Sequence, residues 1–328
     1  MVRRRPILFA GLAALSCAPL AISWPVRAQV RKGQFRIGAL VIGSWPVPQV
    51  VQELVKLGYV EGENTTFVAR SAKGEDERLP ALAIELVALK PDVILAVSTP
   101  PAMALKESGA SIPIVFCQLG GDPVNLGLVE SISRPGGNIT GIAGNYVDVA
   151  AKRLQLLKEI VPYIVRVAVL LNPLSAGAVA ITREIEKASH ALAIDAIPIE
   201  FKRGEDLPQA IEKATELRAQ ALIIAADVVS ITNRKTIIEL SLQKKLPTMY
   251  NQPIEVIDGG LISYGPDAKV QWSRAAYYLD QILRGRKPAD LPIEQATSLT
   301  MAINRKTAEA LRLSIPPAIW ARADEVIE

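Results

Sequence analysis

Residues 91–97, Pro91-Asp92-Val93-Ile94-Leu95-Ala96-Val97, run apolar without interruption behind a Pro-Asp turn, and Ser98-Thr99-Pro100 close the run. A strand covered on both faces by helices reads this way, because neither face alternates with water. The pattern recurs. Ala219-Gln220-Ala221-Leu222-Ile223-Ile224-Ala225 repeats it, and each copy is followed by a helical stretch. Ile112-Pro113-Ile114-Val115-Phe116 then answers to Leu246-Pro247-Thr248-Met249-Tyr250.

Outward from these runs, two sets of five strands are expected. The first is Phe35–Val41, Thr65–Ala69, Asp92–Val97, Ile112–Phe116 and Ile139–Ala143; the second is Val165–Leu171, Ile194–Glu200, Ala221–Ala225, Pro247–Tyr250 and Leu261–Tyr264. Helical periodicity falls between them at Val50–Leu57, Leu79–Leu89, Val149–Val161, Val179–Leu192, Leu207–Leu217 and Thr236–Lys245. Strand–helix alternation of this kind makes doubly wound α/β units. After each fourth strand comes a Gly-Gly pair, Gly120-Gly121 and Gly259-Gly260, so the halves read as a tandem duplication. A helix at Val270–Leu283, a linker Arg284-Gly285-Arg286-Lys287-Pro288 and a strand at Ser298–Asn304 follow. A chain returning in this way is expected to cross between halves near 144–148, 265–269 and 285–297.

The chain has 328 residues, with 37 Lys and Arg against 33 Asp and Glu. Arg3-Arg4-Arg5, an apolar stretch from Ile7 to Ile22 and Trp24-Pro25-Val26-Arg27-Ala28 form a positive n-region, an h-region and a small-residue cleavage site. Residues 1–28 are therefore expected to be a signal peptide, which makes the protein periplasmic. The adjacent arginines also fit a twin-arginine route, whereas Ala14-Leu15-Ser16 before Cys17 makes a poor lipobox. Four of the 37 basic residues and none of the 33 acidic ones lie in the leader, so the body balances at 33 of each. A neutral body carries no footprint for nucleic acid. Cys117 alone remains outside the leader, which rules out an internal disulfide there.

Reactive chemistry is sparse. No Walker A sequence or G-x-G-x-x-G follows the first strand. One His and one mature Cys cannot build a common zinc site. His190 sits inside an amphipathic helix without a partner motif, and there is no G-x-S-x-G elbow. The expectation is a non-enzyme with no cofactor and no metal.

Ligands of open α/β sheets sit beyond the carboxyl ends of the strands. Polar residues gather at those positions: Ser44, Trp45, Ser98, Thr99, Gln118 and Asp122 in the first half, and Asn172, Asp227, Asn251 and Tyr264 in the second. Each is also an ordinary cap or turn residue. As a set they outline a ligand-binding cleft. Ser98-Thr99-Pro100 opens a helix whose free amides would hold a carboxylate. Asp227 and Asp122 would accept an ammonium group, and Trp45 or Tyr264 would cover an apolar side chain.

Several segments match a known family in fixed order. They are Gly58-Tyr59-Val60-Glu61-Gly62-Glu63-Asn64, Arg78-Leu79-Pro80, Gly121-Asp122-Pro123-Val124, Arg134-Pro135-Gly136-Gly137-Asn138-Ile139-Thr140-Gly141 and Lys152-Arg153-Leu154. Gly259-Gly260-Leu261-Ile262-Ser263-Tyr264-Gly265-Pro266, Pro288-Ala289-Asp290-Leu291-Pro292 and Ala321-Arg322-Ala323-Asp324-Glu325-Val326-Ile327 continue the series. Together they resemble ABC transporter substrate-binding proteins of the tryptophan/tyrosine type. The resemblance implies a type I periplasmic binding protein fold: two doubly wound Rossmann-like lobes joined by a three-segment hinge. It implies an N-terminal lobe of 29–146 plus about 267–286 and a C-terminal lobe of 147–266 plus about 287–328. It also implies Ser98, Thr99 and Asp122 as ligand contacts, with Asn172 and Asp227 answering from the other lobe. The segment Ser44-Trp45-Pro46-Val47-Pro48 departs from the family by being compressed where a longer loop covers the cleft.

The expected function is solute capture by hinge closure, for an importer made of a membrane permease and an ATPase, by a monomer. The expected solute is small and amino-acid-like, with aromatic side chains in range; a nucleoside or another small polar solute is the alternative cargo. A ligand sensor serving a membrane receptor and a secreted enzyme on the same architecture are the rival functions.

Overall fold

The computed structural model describes residues 33–43 and 48–328. Ser44 and Trp45, like the leader with Cys17, lie outside the described residues. The first half runs β1 (Phe35–Val41), α1 (Pro48–Lys56), β2 (Thr65–Ser71), α2 (Leu79–Ala88), β3 (Val93–Val97), α3 (Thr99–Glu107), β4 (Ile114–Gly120) and β5 (Ile139–Gly144). The second runs α4 (Ala150–Ile160), β6 (Arg166–Leu171), α5 (Ala176–Ala191), β7 (Asp195–Glu200), α6 (Leu207–Glu216), β8 (Ala221–Ile224), α7 (Val228–Thr232), α8 (Arg234–Gln243), β9 (Thr248–Tyr250), α9 (Pro253–Ile257) and β10 (Ile262–Pro266). The tail adds α10 (Ala268–Leu283), β11 (Glu294–Gln295), β12 (Leu299–Asn304), α11 (Arg305–Ala310), α12 (Pro317–Trp320) and β13 (Glu325–Ile327).

Two sheets result, ordered β11-β5-β4-β3-β1-β2 and β13-β12-β10-β9-β8-β6-β7. Within each, the five main strands take the same order, second-first-third-fourth-fifth. The duplication read from the apolar runs is thus a duplication of topology. All neighbours are parallel except β12, which runs antiparallel to β10. Val93, Ile94, Leu95 and Ala96 of β3, like Leu222, Ile223 and Ile224 of β8, are fully buried. Their lack of alternation has the cause anticipated for it: apolar cores lie on both faces of each sheet. Both sheets switch direction between their first and third strands, where the ends of α/β strands open a crevice.

The chain passes between the sheets at 145–149, at Asp267 and at 296–298. The crossings are tied together, because the Asp267 N–H donates to Ser298 O at 2.9 Å and the Ala296 N–H to Ala143 O at 2.9 Å. Asp267 also caps α10, accepting from the Lys269 N–H at 2.8 Å. Helix α10 packs on the first sheet, with Trp272, Ala275 and Leu279 against Ile37, Val93 and Val115. The last boundary differs from the sequence reading, which put 287–328 with the second half. Leu291 and Ile293 enter the first sheet's cores, and β11 pairs with β5, so the chain stays with the first sheet until after Gln295. A two-residue strand is too short for its period to register in sequence.

Candidate ligand-binding cleft

The carboxyl ends of both sheets face one cleft of about 740 Å³. From the first sheet it is lined by the loop 73–77 after β2, by Ser98, Thr99 and Pro100 after β3, and by Gln118 and Gly120 of β4. The second supplies Asn172, Leu174 and Ser175 after β6, 202–205 after β7, 226–233 after β8, and Asn251, Gln252 and Glu255 after β9. Tyr146, on the first crossing, closes the back and is the one aromatic among the described lining residues.

The sheets meet around this cleft. Val228 of α7 packs on the first sheet's core, and Gly177 of α5 lies against Gly120 at the end of β4.

The loop after β2 is fixed to β1, with the Ala72 N–H on Val41 O at 3.0 Å and the Gly74 N–H on Ile42 O at 3.0 Å. That anchoring delivers Asp76 into the cleft. Its Oδ1 is buried without a hydrogen-bond partner. Desolvation, with the charge of Asp227 adding to it, raises the Asp76 carboxyl above the usual carboxylate range. Asp76 sits in Gly74-Glu75-Asp76-Glu77-Arg78, a charge-rich stretch that sequence reads as a solvated loop. Nothing in the sequence separates it from its exposed neighbours Glu75 and Glu77.

Asp227 is the N-cap of α7. Its Oδ1 accepts from the Ser230 N–H at 3.0 Å, and its Oδ2 accepts from Asn172 Nδ2 at 3.1 Å. Burial raises its carboxyl, and these hydrogen bonds oppose the rise. Asn172 is spent holding it, since its Oδ1 also accepts from the Leu174 N–H at 3.0 Å. Asn172 thus orients Asp227 and has little left for a ligand.

Ser98 carries the junction of β3 and α3 at φ 77° and ψ 174°. Its N–H donates to Cys117 O at 2.9 Å, and its Oγ is buried without a partner. Thr99 lines the cleft, but its hydroxyl donates to Gly120 O at 2.9 Å and accepts from the Gly120 N–H at 3.0 Å. That clamp accompanies a bulge in β4, with Gln118 at φ 53°. The clamp makes Thr99 a fastener of the cleft wall. Asn251 is 4% exposed, lines the cleft, and has an Oδ1 without a partner.

Two expected contacts are absent from the cleft. Asp122 is exposed, and its Oδ1 accepts from the N–H groups of Val124 at 2.7 Å and Asn125 at 3.0 Å, closing a turn beyond β4. Tyr264 packs against the second sheet's core, and its carbonyl accepts from Arg153 Nε at 2.6 Å. Both follow a strand end in sequence, but the local turn consumes one and the core the other. His190 is exposed on α5 and Cys117 is buried in β4.

Behind the cleft lies a buried polar group that sequence reading missed. Glu255, the third residue of α9, accepts from the Asn251 N–H at 2.9 Å and the Gln252 N–H at 2.8 Å. Burial lifts its carboxyl to about 7, against those bonds and the nearby Arg153. Arg153 is fully buried, with its guanidinium 6.0 Å from the Tyr146 ring centre, and Gln252 Nε2 donates to the Tyr146 hydroxyl at 3.2 Å. Among the described residues, no group of three or more His, Cys, Asp or Glu is placed to hold a metal ion, and no helix is long and apolar enough to cross a membrane.

Known proteins share this arrangement. A conserved domain protein from Vibrio cholerae has TM-score 0.83 and 27% identity, covering 89% of this chain and 99% of that one. The ABC domain from Streptococcus pneumoniae in complex with L-Trp has TM-score 0.83 and 21% identity, covering 90% and 100%. The tyrosine-binding protein of Clostridioides difficile is 24% identical over 278 residues, which is 84% of this chain and 79% of that protein. The duplicated sheets and shared cleft agree with the family model described as ABC transporter substrate binding protein, which matches residues 48–327: this chain belongs to that family.

Proposed function

We propose that this protein captures a small amine-bearing solute, amino-acid-like in size, in the cleft between its sheets and delivers it to a membrane permease driven by an ATPase. The observation that carries this reading is a cleft of about 740 Å³ lined from both sheets, with the two halves already in contact where Gly177 of α5 meets Gly120 of β4. Contacts supplied by both sides exist together only when the sides approach. A solute making them therefore shifts the population toward closure. Asp227, buried and oriented by Asn172 and Ser230, takes the ammonium group. The relatives that bind tyrosine and L-Trp support a solute of this size. Export by the 1–28 leader places the cycle in the periplasm, and the protein acts as a monomer without chemistry on its cargo.

The unspent polar atoms of Ser98 and Asn251 also favour a second cargo, a nucleoside or other neutral polar solute. Mass spectrometry of what co-purifies with the mature protein, followed by calorimetry with the identified compound, tests the proposal. A bound solute recovered intact after long incubation is the expected result. Conversion of the solute would make the protein an enzyme.

A further inference from the structure

The cleft is rich in acceptors and poor in anion-binding groups. We propose that its solute presents a cationic head, an ammonium or amidinium, held between Asp76 on one side and Asp227 on the other, and that no group in the cleft anchors a solute carboxylate. This rests on the capture reading above and narrows its solute.

The two carboxylates come from opposite sheets, one on the loop after β2 and one on the cap of α7, and both line the same cavity. Asp76 Oδ1 is buried with nothing to accept from, and the unpartnered side-chain oxygen of the almost wholly buried Asn251 lines the same space. Two acids brought together by closure repel unless a cation or proton lies between them. A cationic head therefore favours the closed form by removing that repulsion as well as by its own contacts.

The groups that usually hold a carboxylate are few: besides the Ser98 hydroxyl, what the cleft offers is spent or stands at its margin. Helix α3 points its N-terminus at the cleft, but Pro100 and Pro101 occupy its first turn and have no N–H. The Ser98 N–H is already given to Cys117 O. Of the amides that make a helix terminus an anion site, Thr99 contributes one where several are normally available. The cations that line the cleft, Lys73, Lys202 and Arg203, stand at its exposed margin, and Arg203 is 3.4 Å from Glu205. Arg153 does not line the cleft; its Nε donates to Tyr264 O at 2.6 Å, and its Nη1 and Nη2 are buried behind the cleft wall without a partner.

The test uses matched sets of probes: tyramine, L-tyrosine and 3-(4-hydroxyphenyl)propionate; tryptamine, L-tryptophan and indole-3-propionate; and sorbitol as a neutral polyol. Affinities are read by calorimetry, supported by shifts in unfolding temperature. The amines are expected to bind at least tenfold more tightly than their parent amino acids, and the acids not at all. Asp76→Asn is expected to lower amine affinity at least tenfold while leaving the unfolding temperature of the free protein within a degree or two. Amino acids that bind as tightly as the amines, or amine affinity unchanged in Asp76→Asn, overturn the proposal. A response to acids or polyol without one to amines overturns it while leaving solute capture intact. Silence from every probe overturns the cationic-head proposal; solute capture itself falls only if mass spectrometry of the purified mature protein also finds no bound solute.

Discussion

A Cβ placed on Gly177 would stand 3.2 Å from both the carbonyl carbon and the carbonyl oxygen of Gly120, so helix α5 of the second half meets the end of β4 of the first half backbone to backbone. Gly177 lies in the first turn of α5, where φ is helical and any residue fits the backbone. Its glycine is therefore explained by space. Gly177→Ala should gain up to about 1 kcal/mol of helix propensity. It should also force the two halves apart by a few tenths of an ångström, at about 1–2 kcal/mol of overpacking in the closed form. Solute affinity should fall about tenfold, since 1.4 kcal/mol is a factor of ten. Calorimetry together with the unfolding temperature checks this. A stabilised variant with full affinity would mean that the contact is not part of the bound state.

Asp122 and Asp227 separate a turn residue from a cleft residue that sequence treats alike. Asp122→Ala loses two exposed hydrogen bonds, costs under about 1 kcal/mol of stability, and should leave solute affinity unchanged. Asp227→Asn keeps an oxygen for the Ser230 N–H but removes the charge. It should weaken an amine-bearing solute by more than about 1 kcal/mol. Equal affinities in the two variants would take Asp227 out of the contact.

The same pair shows where sequence reasoning stops. Ten main strands were legible because a strand buried on both faces leaves an apolar run that few other structures leave, as in Val93–Val97 and Ala221–Ile224. Which strand ends open onto the cleft was legible too: Ser98, Gln118, Asp227 and Asn251 all line it. What a side chain does once there was not. The Thr99 hydroxyl is consumed by Gly120 and the Asn172 amide by Asp227, through contacts 21 and 55 residues away. Asp76 and Glu255 reach their places through a loop anchored to β1 and a single short helix, and neither leaves a periodic trace.

Glu255 makes stability depend on pH. Its carboxyl titrates near 7 in the fold against 4.5 as the reference value, so folding favours the protonated form. Its contribution is fully present below 4.5 and is lost as pH rises through about 7. The loss amounts to roughly 3 kcal/mol at 1.36 kcal/mol per pKa unit, the opposing charge of Arg153 being already included in the value of about 7. Glu255→Gln keeps an acceptor for the α9 cap and removes the titration. Urea unfolding at pH 5 and pH 7.5 should show a smaller difference in the variant than in the parent. Equal differences would assign the dependence elsewhere.

Ser98 combines two costs that a merely structural residue would not keep. Its φ of 77° and ψ of 174° lie in a region populated almost only by glycine, and its Oγ is buried without a partner. Such a backbone costs about 1–3 kcal/mol, and the unsatisfied hydroxyl adds to it. Ser98→Gly should therefore stabilise the free protein by about 1 kcal/mol. If the hydroxyl meets the solute, the same change should weaken binding severalfold. Ser98→Ala distinguishes the two effects, because it removes the hydroxyl but keeps the strain: its affinity should fall as far as that of Ser98→Gly, without the gain in backbone stability. A glycine variant that is more stable and binds as tightly as the parent would show that the strained turn serves to aim Thr99 at Gly120, and that Ser98 itself makes no contact with the cargo.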